Sequence, residues 1–294
     1  MPWILTEDPA AFAAAAGGFL RARPVEHTIQ LGILDAVRRL GPGAYGPQAP
    51  LFGWWPADDG RVLVTVMHTL PYSVLLSDLA PATAGMAATR DEVLGELADS
   101  LAGRGHPVPG VDGATPDAMA FAQAWQRLSG AQATVHRRSR LYRLGELTPP
   151  RPAPPGAPRV AAEADTGLVV RWFEEFTGET GGPGATRAAV AERIGGGRVT
   201  LWEAGGEPVS MAGVTPPSAG VVRVAPVYTP PGLRRRGYAG AVTAAVSQAA
   251  RDAGAADVVL FTDLANPTSN ALYQRLGYRP VCDRVVVAFQ RPGP

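Results

Sequence analysis

Apolar positions recur along this chain with two periods, one of two residues and one near 3.6, and the two alternate from segment to segment. In the second half, residues 221–227 read as an apolar strand that ends at Thr229-Pro230-Pro231. A small-residue helical pattern covers 239–253, and a second strand follows at 257–264. Asn266 then reads as a helix N-cap, Pro267 as the first helical residue and Gly277 as a left-handed C-terminal cap. Residues 282–289 read as a closing strand. In the first half, residues 10–20 read as a helix, 61–68 and 72–79 as strands, 90–103 and 117–129 as helices, and 133–144 as a strand. Strands and helices mixed in this way predict an α/β fold.

Residues 149–158 hold six prolines in ten positions, a stiff extended run that no core element could contain. It divides the chain into an expected domain over 1–148, a linker over 149–158 and a second domain over 159–294. At 294 residues the chain can bury two separate cores. The segment Ala124-Trp-Gln-Arg-Leu-Ser-Gly130 is echoed by Leu272-Tyr-Gln-Arg-Leu-Gly-Tyr278. Around the echo the order of elements also recurs, which predicts two tandem copies of one fold.

Composition removes several classes of function. With 27 basic against 26 acidic residues there is no basic excess of the kind a nucleic-acid partner requires. No apolar run reaches the ~18 residues needed to span a bilayer, and the Ala-rich stretch at 10–20 follows Glu7 and Asp8, which suits a helix better than a signal peptide. A cytoplasmic location is expected. Every basic residue is arginine, so Walker-type phosphate loops and Schiff-base chemistry lack their lysine. The glycine groups around 181–184 and 195–197 are then turns. The single cysteine, Cys282, excludes an internal disulfide and reads as a small packed residue. All four histidines precede residue 137, so the second half has no Ser-His-Asp triad of its own and must use tyrosine, carboxylate or water.

The richest segment is Val227-Tyr-Thr-Pro-Pro-Gly-Leu-Arg-Arg-Arg-Gly-Tyr-Ala-Gly240. A strand ending in a turn, three arginines, a glycine and the start of a helix bring unpaired N–H groups and positive charge to one place, which suits a pyrophosphate. Downstream, Asn266, Asn270 and Tyr273 fall on one helical face. Arg234-x-x-Gly237-x-Ala239, followed by Asn266 and Tyr273 in this order, resembles the coenzyme-binding segments of the GCN5-related N-acetyltransferases (GNAT). The resemblance covers residues 159–291. It implies a mixed, mostly antiparallel sheet flanked by helices, in tandem copies, with a degenerate first copy. Trp125 stands there in place of Tyr273, and residues 80–90 contain no Arg-x-x-Gly-x-Gly counterpart.

The resemblance also implies site roles. Arg234, Arg235, Arg236, Gly237, Tyr238, Ala239 and Gly240 would hold the pyrophosphate of acetyl-coenzyme A. Val227, Tyr228 and Thr229 would receive the pantetheine arm, with Asn266 and Ser269 beside it, and a strand N–H near Val227 would polarise the thioester. Tyr273 would protonate the departing thiolate. Trp172, Phe176 and Glu179 share one face of a predicted helix, which makes Glu179 the candidate base, with Glu175 and Asp263 as alternatives. The expected activity is acetyl transfer from acetyl-coenzyme A to a primary amine of a small molecule in a ternary complex. No metal, nucleic acid or membrane is expected, and the protein would act as a monomer or homodimer. Acetylation of a protein amine, or coenzyme sensing without turnover, are the alternatives.

Overall fold

The computed structural model describes residues 2–79, 88–181 and 184–290. Contacts divide the chain into two compact units. The first comprises Met1–Leu141, Asp263–Ala265 and Val281–Pro294; the second comprises Tyr142–Thr262 and Asn266–Pro280.

The first unit contains β1 (Ile4–Thr6), α1 (Pro9–Ala22), α2 (Thr28–Leu40), β2 (Leu51–Pro56), β3 (Val62–His68), β4 (Val74–Leu76), α3 (Arg90–Gly103), β5 (Gly110–Ala114), α4 (Thr115–Ser129) and most of β6 (Gln132–Leu144). The second contains β7 (Ala157–Val160), α5 (Thr166–Thr180), α6 (Arg187–Gly195), β8 (Val199–Ala204), β9 (Glu207–Val214), β10 (Val221–Tyr228), α7 (Tyr238–Asp252), most of β11 (Asp257–Asp263) and α8 (Pro267–Arg275). The last strand, β12, spans Tyr278–Gln290. Among the described residues the order β-α-α-β-β-β-α-β-α-β therefore occurs twice.

Pairing repeats as well. In the first unit β1 to β4 are neighbours in sequence order and antiparallel, while β4 and β5 are parallel. In the second unit β7 to β10 are antiparallel and β10 and β11 are parallel. Each sheet is covered on both faces. In the first unit Phe12, Leu20, Leu31 and Leu34 of α1 and α2 pack on one side with Phe52 and Met67. Val93, Leu97, Phe121 and Trp125 of α3 and α4 pack on the other. In the second unit Val169, Trp172, Phe173 and Val190 of α5 and α6 bury one face, and Ala241, Val242, Tyr273 and Leu276 bury the other.

The units differ at their margins from a division at the proline run. Residues 284–288 of β12 pair antiparallel with β5. Val285 and Val287 are buried in the first unit's core, and residues 142–148 join the second unit. The proline run is also shorter than expected, because Ala157 and Pro158 already pair with β8 as an edge strand, where proline is tolerated. The first unit's segment at 80–87, part of the stretch read as lacking a phosphate loop, lies outside the described residues, as do Gly182 and Pro183.

Removing residues 281–294 should weaken the first unit selectively. Losing two fully buried valines alone costs about 3–6 kcal/mol at roughly 1.5–3 kcal/mol each. Hydrogen exchange should rise across β5 and α3 of the truncated protein and stay unchanged across β8 and β9. Equal protection in both units would contradict the assignment of β12.

Candidate active site of the second unit

The site begins where β10 and β11 part. Their parallel pairing covers only residues 221–223 of β10 against 257–259 of β11. On its other side β10 continues along β9 through Tyr228, with a bulge between Val224 and Val227. Pro226 sits in that bulge, where its missing N–H breaks no ladder bond. Residues 224–228 thus present their β11-facing edge to a gap between the strands.

The chain then turns through a short 3-10 segment, Pro231–Leu233, and reaches α7. Arg235 has φ 63° and Gly237 has φ 87°, so two left-handed residues stand two positions apart. Non-glycine residues adopt such angles at a cost of about 1–3 kcal/mol and do so mostly at functional sites. Gly237 is the N-cap of α7, and no side chain caps the helix. Among the described residues, the backbone N–H groups of 235–240 have no acceptor in the protein; the first bonded amide is that of Ala241, which donates to the carbonyl of Gly237. Six consecutive free N–H groups at a helix N-terminus, aimed by left-handed residues, form an anion cradle.

The arginines divide the work. Arg234 donates from Nε to the carbonyl of Thr229 at 2.8 Å and from Nη2 to Oε1 of Glu179 at 2.5 Å. Its guanidinium also lies 5.7 Å from the Tyr228 ring centroid. Arg234 is therefore committed to holding the loop against α5. Arg236 donates to the carbonyl of Gly232, and Arg235 and Arg236 are both exposed without an ion pair among the described residues. The Tyr238 side chain is buried in the core, so that residue offers the site only its backbone.

Tyr228 reaches from the end of β10 to α5, donating its hydroxyl to Oε2 of Glu175 at 2.8 Å. Burial, then the Glu175 hydrogen bond, then the charges of Glu175 and Glu179 push its phenol up to about 12, against an opposing effect of Arg234. From the spacing alone Glu175 stands second to Glu179 as the candidate base. The structure ties Glu179 to Arg234 and leaves Glu175 with the strand-end tyrosine. Trp172 and Phe173 are core residues, and Trp172 lies 6.2 Å from the Tyr228 ring.

On α8, Asn266 is the N-cap and accepts from the Ser269 N–H at 3.0 Å. Asn270 is held by the Tyr142 hydroxyl at 2.9 Å, a partner far away in sequence. Tyr273 is buried in the apolar cluster that includes Val224, Tyr238 and Ala241, and its ring meets Tyr278 edge-on. The Tyr278 hydroxyl is satisfied by Ser247 at 2.7 Å, whereas that of Tyr273 has no hydrogen-bond partner among the described residues. Burial, with a smaller effect of Tyr278, raises the Tyr273 phenol well above its ordinary range. Asp263 caps a turn by accepting from the Ala265 N–H. Cys282 is half-buried, and burial pushes its thiol up to about 11.

The corresponding places in the first unit are closed. α3 starts with a complete capping box, Thr89 and Glu92 bonding each other's backbone N–H groups, and Asp91 adds a second acid to the first turn. Arg284, buried, pairs with Asp112 of β5 and donates to the Leu76 carbonyl at the end of β4, filling the region where the parallel strands end. Trp125 packs against Phe121 and Phe289.

Residues 168–278 match the model of the acetyltransferase (GNAT) family. Over its whole length the chain is similar in fold to a GCN5-related N-acetyltransferase from Sphaerobacter thermophilus, at TM-score 0.62 and 18% identity, covering 99% of this chain and 97% of that one. A GNAT-family acetyltransferase from Colwellia psychrerythraea gives TM-score 0.60 and 12% identity, with 99% and 100% covered. A tandem GNAT protein from the clavulanic acid biosynthesis pathway gives 0.56 and 14%, with 99% of each chain covered. No curated protein matches the sequence. The match to the GNAT acetyltransferase family model thus lies within the second half, and the likeness in fold to GNAT structures extends over the full length of the chain. No described helix is long and apolar enough to cross a membrane.

Burial raises three of the seven tyrosines, Tyr228, Tyr273 and Tyr278, above the ordinary 10. Each is a neutral acid with a raised folded-state pKa, so its contribution to stability is complete below the unfolded value and is lost as pH rises through the folded value. Stability should therefore hold to about pH 10 and fall between about 10 and 12. An ultraviolet titration should find these three phenols un-ionised while the protein stays folded. Seven phenols titrating together near 10 would contradict their burial.

Proposed function

We propose that the second unit is an acetyl-coenzyme A-dependent N-acetyltransferase that acetylates a primary amine of a small molecule by direct transfer in a ternary complex. The observation that carries this reading is the run of unpaired N–H groups at 235–240 in a domain that matches the acetyltransferase family. Those amides suit a pyrophosphate, and Arg235 and Arg236 add charge beside them. The free edge of β10 at 224–228 supports a pantetheine arm lying along it as an added strand, with an N–H near Val227 polarising the carbonyl. Asn266 and Ser269 would flank the arm at the start of α8.

Bound acetyl-coenzyme A supplies the acetyl group as a thioester. The amine nitrogen attacks the carbonyl carbon, the carbon–sulfur bond breaks and the sulfur takes the proton of Tyr273. Burial that raises this phenol also destabilises a thiolate in the same apolar surroundings, which keeps the transfer near balance. The proton lost by nitrogen goes to Glu175, directly or through water. Glu175 is preferred over Glu179 because its carboxylate stands at the open end of β10 on the Tyr228 hydroxyl, whereas Glu179 neutralises Arg234. The first unit, with its capped helix start and filled strand ends, would bind no coenzyme.

Tyr273→Phe should lower kcat about a hundredfold, the low end of what a positioned acid contributes, while coenzyme affinity stays within about twofold. An unchanged kcat would remove Tyr273 from the chemistry. Gly237→Asp puts a side chain at a left-handed position and a negative charge in the cradle, and should weaken coenzyme A binding at least about tenfold by calorimetry. Unaltered binding would mean that the coenzyme lies elsewhere.

A further inference from the structure

We propose that the proline run is a fixed strap along the phosphate loop, and that it supplies Arg151 to the phosphates of the coenzyme. The proposal rests on the coenzyme reading of the loop and adds to it a wall and a cation from outside the matched family segment, which begins at residue 168.

The strap is fastened at both ends within the second unit. On its N-terminal side the Gly145 N–H bonds the Gly277 carbonyl and the Thr148 N–H bonds the Leu276 carbonyl, each at 3.0 Å. A Cβ on Gly277 would stand 1.8 Å from the Glu146 carbonyl oxygen, so the glycine that ends α8 also admits the strap's first residues. On the C-terminal side Trp202 Nε1 donates to the Pro155 carbonyl at 3.0 Å. Gly156, at φ 107°, lies so close to β8 that a Cβ there would meet the Glu203 carbonyl oxygen at 2.1 Å. β7 then pairs with β8.

Between these anchors the strap crosses the start of α7. The Pro150 ring comes within 3.3 Å of the Cβ position of Gly240, and the Pro154 ring within 3.5 Å of that of Gly237. The space beside the cradle glycines is thus lined by strap prolines. None of the strap's carbonyls takes a hydrogen bond from the amides at 235–240. The strap therefore runs beside the cradle without occupying its donors.

Arg151 lies between the two proline contacts. It is exposed and has no ion pair or hydrogen bond among the described residues. Its neighbours along the chain are committed: Arg143 pairs with Asp257, and Arg159 pairs with Asp165 and Glu203. Of these three arginines, the one left for a ligand is the one carried between the two prolines that meet Gly240 and Gly237. A proline backbone has little conformational freedom to lose, so the strap presents this cation at a small ordering cost.

The test compares unmodified protein, Arg151→Gln and Arg151→Lys by calorimetric titration with coenzyme A over a range of salt concentrations. Turnover of the phosphate-free acetyl-pantetheine is measured alongside. Arg151→Gln should weaken coenzyme A about tenfold and flatten the salt dependence, with Arg151→Lys in between and acetyl-pantetheine kinetics equal in all three. Unchanged affinity and salt slope in Arg151→Gln, or an equal loss with acetyl-pantetheine, would overturn the proposal. If Gly237→Asp abolishes coenzyme binding while Arg151→Gln leaves it intact, the strap claim alone falls. If the unmodified protein binds no coenzyme A, the coenzyme reading falls with it.

Discussion

The second unit depends on a helix start that the protein leaves uncapped. A helix exposes four orphan N–H groups at its beginning, and side chains ordinarily satisfy some of them. Here α1, α3, α6 and α8 are capped by Asp8, Thr89, Thr186 and Asn266. α7 has no side-chain cap, as α2, α4 and α5 also have none, but in α7 the unpaired run extends back into the loop through the left-handed Arg235 and Gly237. Adding Asp91 and Glu92 to such a start, as α3 does, makes it hostile to anions. The same supersecondary unit thus occurs twice with opposite electrostatics. That difference, more than the overall fold, separates the half proposed to bind a pyrophosphate from the other.

The neighbouring interactions keep this cradle in place. Arg234 ties the loop to Thr229 and Glu179, and Tyr228 ties the end of β10 to Glu175. Both cross-ties end on α5, one helical turn apart, so the phosphate loop and the strand edge share one support. An exposed ion pair such as Arg234–Glu179 contributes little to stability, about 0–1 kcal/mol. The consequence of the two ties is geometric: Glu179 is neutralised by Arg234, and Glu175 is left on the Tyr228 hydroxyl.

Local chemistry made much of this legible in the sequence. Proline after a strand, glycine before a helix, asparagine and proline opening α8 and glycine closing it are short-range signals, and each falls where the structure has the corresponding turn or cap. The helix over 90–103 matches α3 residue for residue, because its capping box and apolar spacing lie within one segment. Long-range pairing was not legible. Nothing in the spacing of Glu175 and Glu179 says which meets Tyr228 and which meets Arg234, since those partners lie more than fifty residues away. Nor does the pattern of 282–289 show that this strand completes the sheet of the first unit, because any apolar edge would fit its alternation. The proline run signalled a stiff segment, but only the fold shows what it passes.

Coenzyme binding at the start of α7 would engage six particular amides, and amide-resolved nuclear magnetic resonance observes them directly. Addition of coenzyme A should shift and protect the N–H signals of residues 235–240, with the corresponding amides at the start of α3 unmoved. Unperturbed signals at 235–240 in the presence of saturating coenzyme, or perturbations centred on the first unit, would mean that these amides do not bind the pyrophosphate.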